Sequence, residues 1–420
     1  MIPRVALTAV LLLAWADSTA AESDWSYRGR LEAGSRHYLV DRDRGLKDDN
    51  IVLEGELEAT YDPGGPYRIR IRPYLALDPL ESSRNRYEPL DAYGEVTVGS
   101  WSVRAGQMIE SWAIADIFNP VDVLNRRDLE RNFYDPPKLG EVMVRLRYVF
   151  PEVEWLRQPA LSLYLLPLHR DTPLPGNQDR FRLDVTGDGR GDISRHAVEA
   201  SPDIAYAARL GATLGDADVF LFYFGGPTRI PGFAQSAPDE LRPVFYRVDV
   251  VGAGVQWPTG PWLFKLETAY TSTRNPALPR AFSNVVPDSY FQYVVGLDRT
   301  FTDVLGKNEV TLTLEYAGED QPGSVDLRAL RPYKSDLFLG LLWQFHDLRR
   351  TEIRASAAVD VRVNEQLYLL SARTLIYRNL WLVAAGQFVN RAPDPRPGHL
   401  TVFNIFPDNS NLQITLRYEF

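Results

Sequence analysis

The chain contains no cysteine. That excludes a disulfide framework, a thiolate metal site and a cysteine nucleophile. Histidine is scarce: His37, His169, His196, His346 and His399 are the whole set, and none stands in a zinc-protease H-E-x-x-H pattern. No G-x-S-x-G elbow precedes a helical segment. Past the first residues there is no uninterrupted apolar run of the ~18 residues that a spanning helix needs. Basic excess is lacking too: 46 Lys and Arg against 55 Asp and Glu leave a net charge of −9. That disfavours a nucleic-acid partner, which selects a basic face. A membrane barrel built of strands survives all these exclusions, because only every second residue of such a strand must meet lipid.

The first residues read as a secretory leader. Arg4 supplies a thin positive region, Val5 to Ala16 an apolar one, and cleavage after Ala20 or Ala21 fits the small-residue rule. Residues 1–21 are therefore set aside as a signal peptide, and 22–420 are expected to form one domain, without internal repeats. Aromatic content is 12%, with 21 Tyr and 9 Trp, which suits the interfacial girdles of a membrane barrel.

From Trp25 onward the apolar residues alternate with polar ones, which is the period of a strand and not of a helix. At the C-terminus Leu412, Ile414, Leu416, Tyr418 and Phe420 share one face, with Gln413, Thr415, Arg417 and Glu419 on the other. The alternation predicts strands near 25–39, 51–62, 67–77, 90–98, 101–108, 139–149, 160–167, 203–214 and 216–225. Further strands are predicted near 244–257, 261–273, 288–299, 308–318, 335–346, 350–362, 366–377, 379–390 and 410–420. The count is about 18, with 16 as the next even number, and even counts are the rule for bacterial single-chain barrels.

The links between these strands alternate in length. Asp62–Pro66, Gly99-Ser100, Gly215, Pro258–Gly260 and Arg378 are tight turns, whereas 40–50, 78–89, 109–138, 168–202, 226–243, 274–287, 319–334 and 391–409 are long. Short periplasmic turns facing long extracellular loops are the asymmetry of an outer-membrane barrel. Two links break the phase: 150–159 is long for a turn, and 363–365 is short for an outer loop.

A barrel turns its polar face inward. On the second and third strands that face carries Glu54, Glu56 and Glu58, then Arg68, Arg70 and Arg72. A hairpin closed symmetrically through Asp62–Pro66 sets Tyr61 opposite Tyr67, Glu58 opposite Arg70 and Glu56 opposite Arg72. A turn at Gly99-Ser100 sets Glu95 opposite Arg104, and Arg145 and Arg147 share their face with Glu141. Two readings of this wall stand side by side. It is a basic, pore-lining track for an anionic solute, or a lattice of ion pairs that stiffens the wall, each directly opposed pair contributing about 0.2–1 kcal/mol.

The segment from Gly106 to Asn125 is apolar for an outer loop. Asn119-Pro120 is expected to turn the chain, and Asp122 or Asn125 to cap a short helix. Such a loop folds into the lumen more readily than it faces water, so 109–138 is expected to be a constriction or partial plug, with packing on the barrel rim as the alternative. Its marks are Trp112, Asp116, Asn119, Asp122 and Asn125. Gly106, Gln107, Trp112, Asp116, Asn119, Pro120, Asp122 and Asn125 together resemble a motif of proteobacterial outer-membrane, porin-like barrel proteins. Ala113 stands where those proteins often have glycine. The layout of the mature chain is similar to the 18-stranded alginate-export barrels, a resemblance that implies passage of an acidic polysaccharide. The terminal Phe420, with Tyr418 and Leu416 behind it, resembles the signal by which the barrel-assembly machinery takes up its clients.

Within 168–202, Asp184, Thr186, Asp188, Arg190 (through its carbonyl) and Asp192 have the spacing of the start of a calcium loop, with Gly189 at the turn. Arg195 stands where a bidentate glutamate would complete it. Either Ca2+ ties this loop down, or the segment is a Gly/Asp-rich turn; no other cofactor is required.

The sequence thus predicts an all-β, transmembrane, antiparallel up-and-down barrel in the bacterial outer membrane, bounded by lipid. Its expected role is passage of a polar solute, the anionic class and polysaccharides included, without catalysis. The alternatives are a barrel enzyme of lipase or protease type, for which His346 beside Asp347 at a strand end mimics part of a triad but reads more simply as a rim side chain, and a plugged surface-binding scaffold.

Overall fold

In the computed structural model, the described residues are 24–40, 49–80, 82–116, 118–132, 134–176, 180, 192–193, 197–199, 204–237, 240–274, 286–320, 331, 333–390 and 409–420. The expected leader and the central residues of the expected calcium loop, Asp184, Thr186, Asp188 and Arg190, lie outside them.

Eighteen of the strands form one sheet. The first seven are β1 (Trp25–Tyr38), β2 (Asp49–Tyr61), β3 (Tyr67–Leu77), β4 (Arg86–Val98), β5 (Trp101–Met108), β6 (Glu141–Val149) and β7 (Leu156–Leu166). Two short strands, β8 (Asp192–Ile193) and β9 (Val198–Glu199), precede β10 (Ala205–Leu214) and β11 (Ala217–Pro227). Another short pair, β12 (Gly232–Ala237) and β13 (Glu240–Phe245), precedes β14 (Arg247–Thr259), β15 (Trp262–Arg274), β16 (Tyr290–Val304) and β17 (Asn308–Glu319). The chain ends with β18 (Ser335–Gln344), β19 (Glu352–Asp360), β20 (Gln366–Tyr377), β21 (Leu380–Asn390) and β22 (Asn411–Glu419).

Each long strand pairs antiparallel with the next long strand, and β1 pairs with β22, so the sheet closes. Closure leaves no unpaired edge, which is the condition for a sheet to stand in lipid. The last hydrogen bonds of the seam run between Gly29 and Phe420, at 2.8 and 3.0 Å. Phe420 therefore takes part in the closure itself. The short strands sit in the long-loop region: β12 pairs antiparallel with β13, which pairs parallel with β8 and β9. That small sheet was not visible as alternation, because its strands run for only two to six residues.

The outer face follows from the dyad. Leu412, Ile414, Leu416 and Tyr418 of β22 point outward, as do Leu312 and Leu314 of β17. Aromatic pairs gather at the short-turn end, including Trp25–Tyr27, Trp101–Tyr148 at 4.5 Å and Trp343–Phe345 at 4.8 Å. Amphipathic rings are stable at that depth, where one end is apolar and the other wet.

Two expectations are corrected. The β2–β3 hairpin sets Tyr61 opposite Ile69, not Tyr67. The Asp62 carboxylate folds the turn onto itself, accepting from the Gly64 N–H at 3.3 Å and pairing with Arg68. Pro66 meanwhile accepts from Thr97 of β4. The slip is two residues, so every side chain keeps its face. No helix forms among the described residues between β5 and β6, so Asp122 and Asn125 cap none. The two off-phase links, expected at 150–159 and 363–365, run over 150–155 and 361–365, because β7 begins earlier and β19 ends earlier than the alternation indicated.

Candidate functional site

The long segment after β5 leaves the wall past Met108; two residues before the strand ends, Gly106 takes a φ of 136°, one that a side chain would resist. A Cβ there would overlap the Ala92 carbonyl of β4. Asn125 then ties the base of the loop. Its side-chain oxygen accepts from the Glu110 N–H at 2.9 Å, and its amide donates to the carbonyls of Met108 and Leu139 at 3.0 and 2.9 Å. Asp122 holds Arg127 at 2.6 Å and Lys138 at 2.7 Å. Burial pulls the Lys138 ammonium below the usual lysine range, against the pull of Asp122.

Beyond this base the loop travels. Trp112 is buried against Tyr164 of β7 and Phe222 of β11, at 5.6 and 5.3 Å between rings. The backbone N–H groups of Ile114 and Ala115 donate to one oxygen of Glu267 on β15, and that of Asp116 donates to Glu315 on β17 at 2.9 Å. Lys265 pairs with Asp116, with Asp298 at 2.6 Å and with Glu315 at 3.2 Å. Glu267 and Glu315 alternate with the outward residues of their strands and are fully buried. They stand part-way along β15 and β17, with β6, β7, β10, β11 and β14 between them and β5 on the wall. A segment that starts at β5 and meets both carboxylates therefore lies inside the barrel.

The far wall leaves room for it. A Cβ on Gly254 of β14 would overlap the Phe220 ring and approach Ile114 of the loop to 2.8 Å. Phe118 packs on Tyr333 at 5.6 Å, and Leu129 and Tyr134 join a buried cluster with Val294, Ala317 and Phe338. Asn119 and Pro120 line a cavity of about 210 Å³ beside this cluster.

The charged wall is paired rather than bare. Arg70 meets Glu58 at 2.7 Å, Arg72 meets Glu56 at 3.5 Å, and both reach Asp91. These contacts run diagonally across the slipped register. Glu54 pairs with Arg131 of the loop. Glu95 and Arg104 are direct cross-strand partners and bond at 3.0 Å. Arg145 bridges Glu95 and Glu110 at 2.9 and 3.0 Å. Arg147 lies near them on an open space of about 660 Å³ at the short-turn mouth, lined also by Arg68, Glu95, Arg104 and Arg145. The structure thus brings the six arginines to one side, with carboxylates interleaved among most of them.

Lys265, Glu267, Asp298 and Glu315 were missed in the sequence. The signal was there: Lys265-Leu-Glu267 puts two charges on the inner face of an otherwise apolar strand. What they hold is visible only once the loop is seen to reach them. Among the described residues, no group of three or more acidic or histidine side chains forms a metal site.

No protein-family model and no curated protein matches this chain. Among solved structures, OccK11 (OpdR) of Pseudomonas aeruginosa superposes with a TM-score of 0.53 at 11% identity, covering 94% of this chain and 96% of that one. A Rhodopseudomonas blastica porin variant covers 94% of this chain and 100% of its own, at 12% identity and a TM-score of 0.46. The chain is a closed, 18-stranded, antiparallel transmembrane β-barrel, similar in fold to OccK11.

Proposed function

We infer that the chain is an outer-membrane channel through which polar solutes, anions included, diffuse past the loop that begins at residue 109. The observation that carries this is the tether. Carboxylates of β15 and β17 hold the loop inside the barrel. A segment so placed narrows a lumen whose walls keep charged side chains. An 18-stranded barrel is wide enough for an aqueous path unless loops fill it.

The finer parts of the reading follow the sequence. The leader is removed on export, and Phe420 engages the barrel-assembly machinery. The motif from Gly106 to Asn125 supports kinship with porin-like barrels of proteobacteria, and the alginate-export likeness extends the solute class to acidic polysaccharides. The channel works without catalysis. The His346-Asp347 pair has its carboxylate engaged in a turn, accepting from the Thr351 N–H and hydroxyl at 2.8 Å each. Calcium at Asp184 to Asp192 would stiffen an outer loop and take no part in passage.

Single-channel recording of refolded protein in planar bilayers tests this. A stable conductance is expected, with its anion preference falling when Arg104 or Arg147 is neutralised. Folded protein that conducts nothing would refute the channel and favour a plugged scaffold.

A further inference from the structure

A groove of about 920 Å³ crosses the outer face of the wall between β15 and β20, the face that meets lipid. Two small side chains open it. Ala355 and Ala357 of β19 stand between Leu341 and Leu339 of β18 and Leu370 and Tyr368 of β20. Leu339, Leu370 and Tyr368 are exposed on the outer face, so the register puts both alanines on that face with them. A row of methyl groups between two rows of long side chains leaves a furrow.

One charge lines this groove. Arg299 of β16 follows Asp298, which pairs with Lys265 on the inner face, so Arg299 turns outward. The register agrees, setting it opposite Trp262 of β15 and the outward Leu312 of β17. Its guanidinium carbon lies 4.3 Å from the centre of the Trp262 ring and 4.7 Å from that of Phe301. Among the described residues its guanidinium has no ion-pair or hydrogen-bond partner, and its Nε is buried. An arginine on the lipid face is unfavourable unless an anion answers it. Trp262 is the first residue of β15 after a short turn, so Arg299 stands at the depth of the short-turn rings, where headgroups lie. A second copy of the chain is a poorer partner. Asp249, which faces outward on β14, is at the opposite, long-loop end and already holds Arg274 at 2.7 Å.

We propose that this groove holds one anionic phospholipid of the periplasmic leaflet, its phosphate on Arg299 and an acyl chain over Ala355 and Ala357. A guanidinium matches a phosphate with parallel bonds, and the Trp262 and Phe301 rings hold that guanidinium in place. The lengths agree. Neighbouring strands lie about 4.7–4.9 Å apart, so the three steps from β16 to β19 span about 14 Å, close to half of a hydrocarbon core about 30 Å thick. The lipid is anionic because a zwitterionic headgroup would bring its own cation beside the arginine.

Native mass spectrometry of the folded protein tests it, in micelles doped with phosphatidylglycerol or with phosphatidylcholine of the same acyl chains. One phosphatidylglycerol is expected to stay bound, and phosphatidylcholine to be retained about fivefold or more weakly. Arg299→Leu suits the lipid face and should lower phosphatidylglycerol to the level of phosphatidylcholine. Ala357→Phe fills the furrow, keeps the charge and should lower phosphatidylglycerol by a similar factor. Equal retention of the two lipids by the unaltered protein would overturn the proposal, as would full retention of phosphatidylglycerol by either folded variant. Dimers or trimers of the chain without lipid would overturn it in favour of a second copy on this face. Should a variant fail to fold, the comparison of lipids on the unaltered protein decides. The inference stands on the barrel and not on passage. Lipid retention in a barrel that conducts nothing would leave it intact, and conductance without lipid retention would overturn it alone.

Discussion

Replacing Glu267 with alanine should release the loop from the far wall. One oxygen of Glu267 accepts two backbone N–H groups, from Ile114 and Ala115. Hydrogen bonds to a charged acceptor contribute about 1.5–3 kcal/mol each, so two amount to about 3–6 kcal/mol, less the cost of holding the carboxylate away from water. Even 3 kcal/mol of lost anchoring would raise the population of the displaced loop about a hundredfold. Glu267→Gln keeps a carbonyl acceptor and should lose roughly half as much. The absence of cysteine makes the assay clean. Val123, packed against the buried cluster around Trp112, can be changed to cysteine and its reaction rate with a thiol reagent measured alongside single-channel conductance. Both should rise in the order parent, Glu267→Gln, Glu267→Ala. Equal labelling and equal conductance in parent and Glu267→Ala would show that the carboxylate does not hold the loop.

Asn125→Ala removes three bonds at the loop base and leaves buried backbone groups unsatisfied. It should lower stability by about 1–3 kcal/mol, read as a shifted urea midpoint. Gly254→Ala should destabilise by about 1–3 kcal/mol through overlap with Phe220 and Ile114, and Phe220→Ala in the same chain should recover part of the loss in a thermal melt. His169 is buried in the link after β7, with its ring 4.7 Å from Phe245. Burial, with repulsion from Arg229 and Arg126, lowers its pKa from 6.5 to about 4. Between those values the unfolded chain binds the proton and the folded one does not, so this contribution to stability is lost as pH falls through the window. His169→Leu should flatten the urea midpoint between about pH 6.5 and 4; an unchanged slope would refute the assignment.

Much of the barrel was legible in the chain because its cause is local. A strand in lipid must alternate, so Leu412 to Tyr418 declared their outward face one residue at a time. The turns at Gly99-Ser100 and Gly215 marked where each alternation restarts, and the cross-strand match of Glu95 with Arg104 followed from a two-residue turn. The β2–β3 register was less legible. The Asp62 side chain shapes that turn, and a slip of two residues leaves the hydrophobic pattern unchanged.

The sequence alone therefore determined a closed barrel, its inner and outer faces and the odd character of the segment after Met108. Only the tertiary structure decided what that segment does. Ile114 and Glu267 are 153 positions apart, and no period connects them. Their meeting depends on five strands of wall between β5 and β15 curving until the two face each other across the lumen. The same holds for Arg229 and Arg331, which become one cavity only when the ends of separate hairpins converge over the loop. Periodicity reports the environment of a residue, lipid or lumen; it carries no information about which inward residue lies opposite which, because that is set by the closure of the sheet.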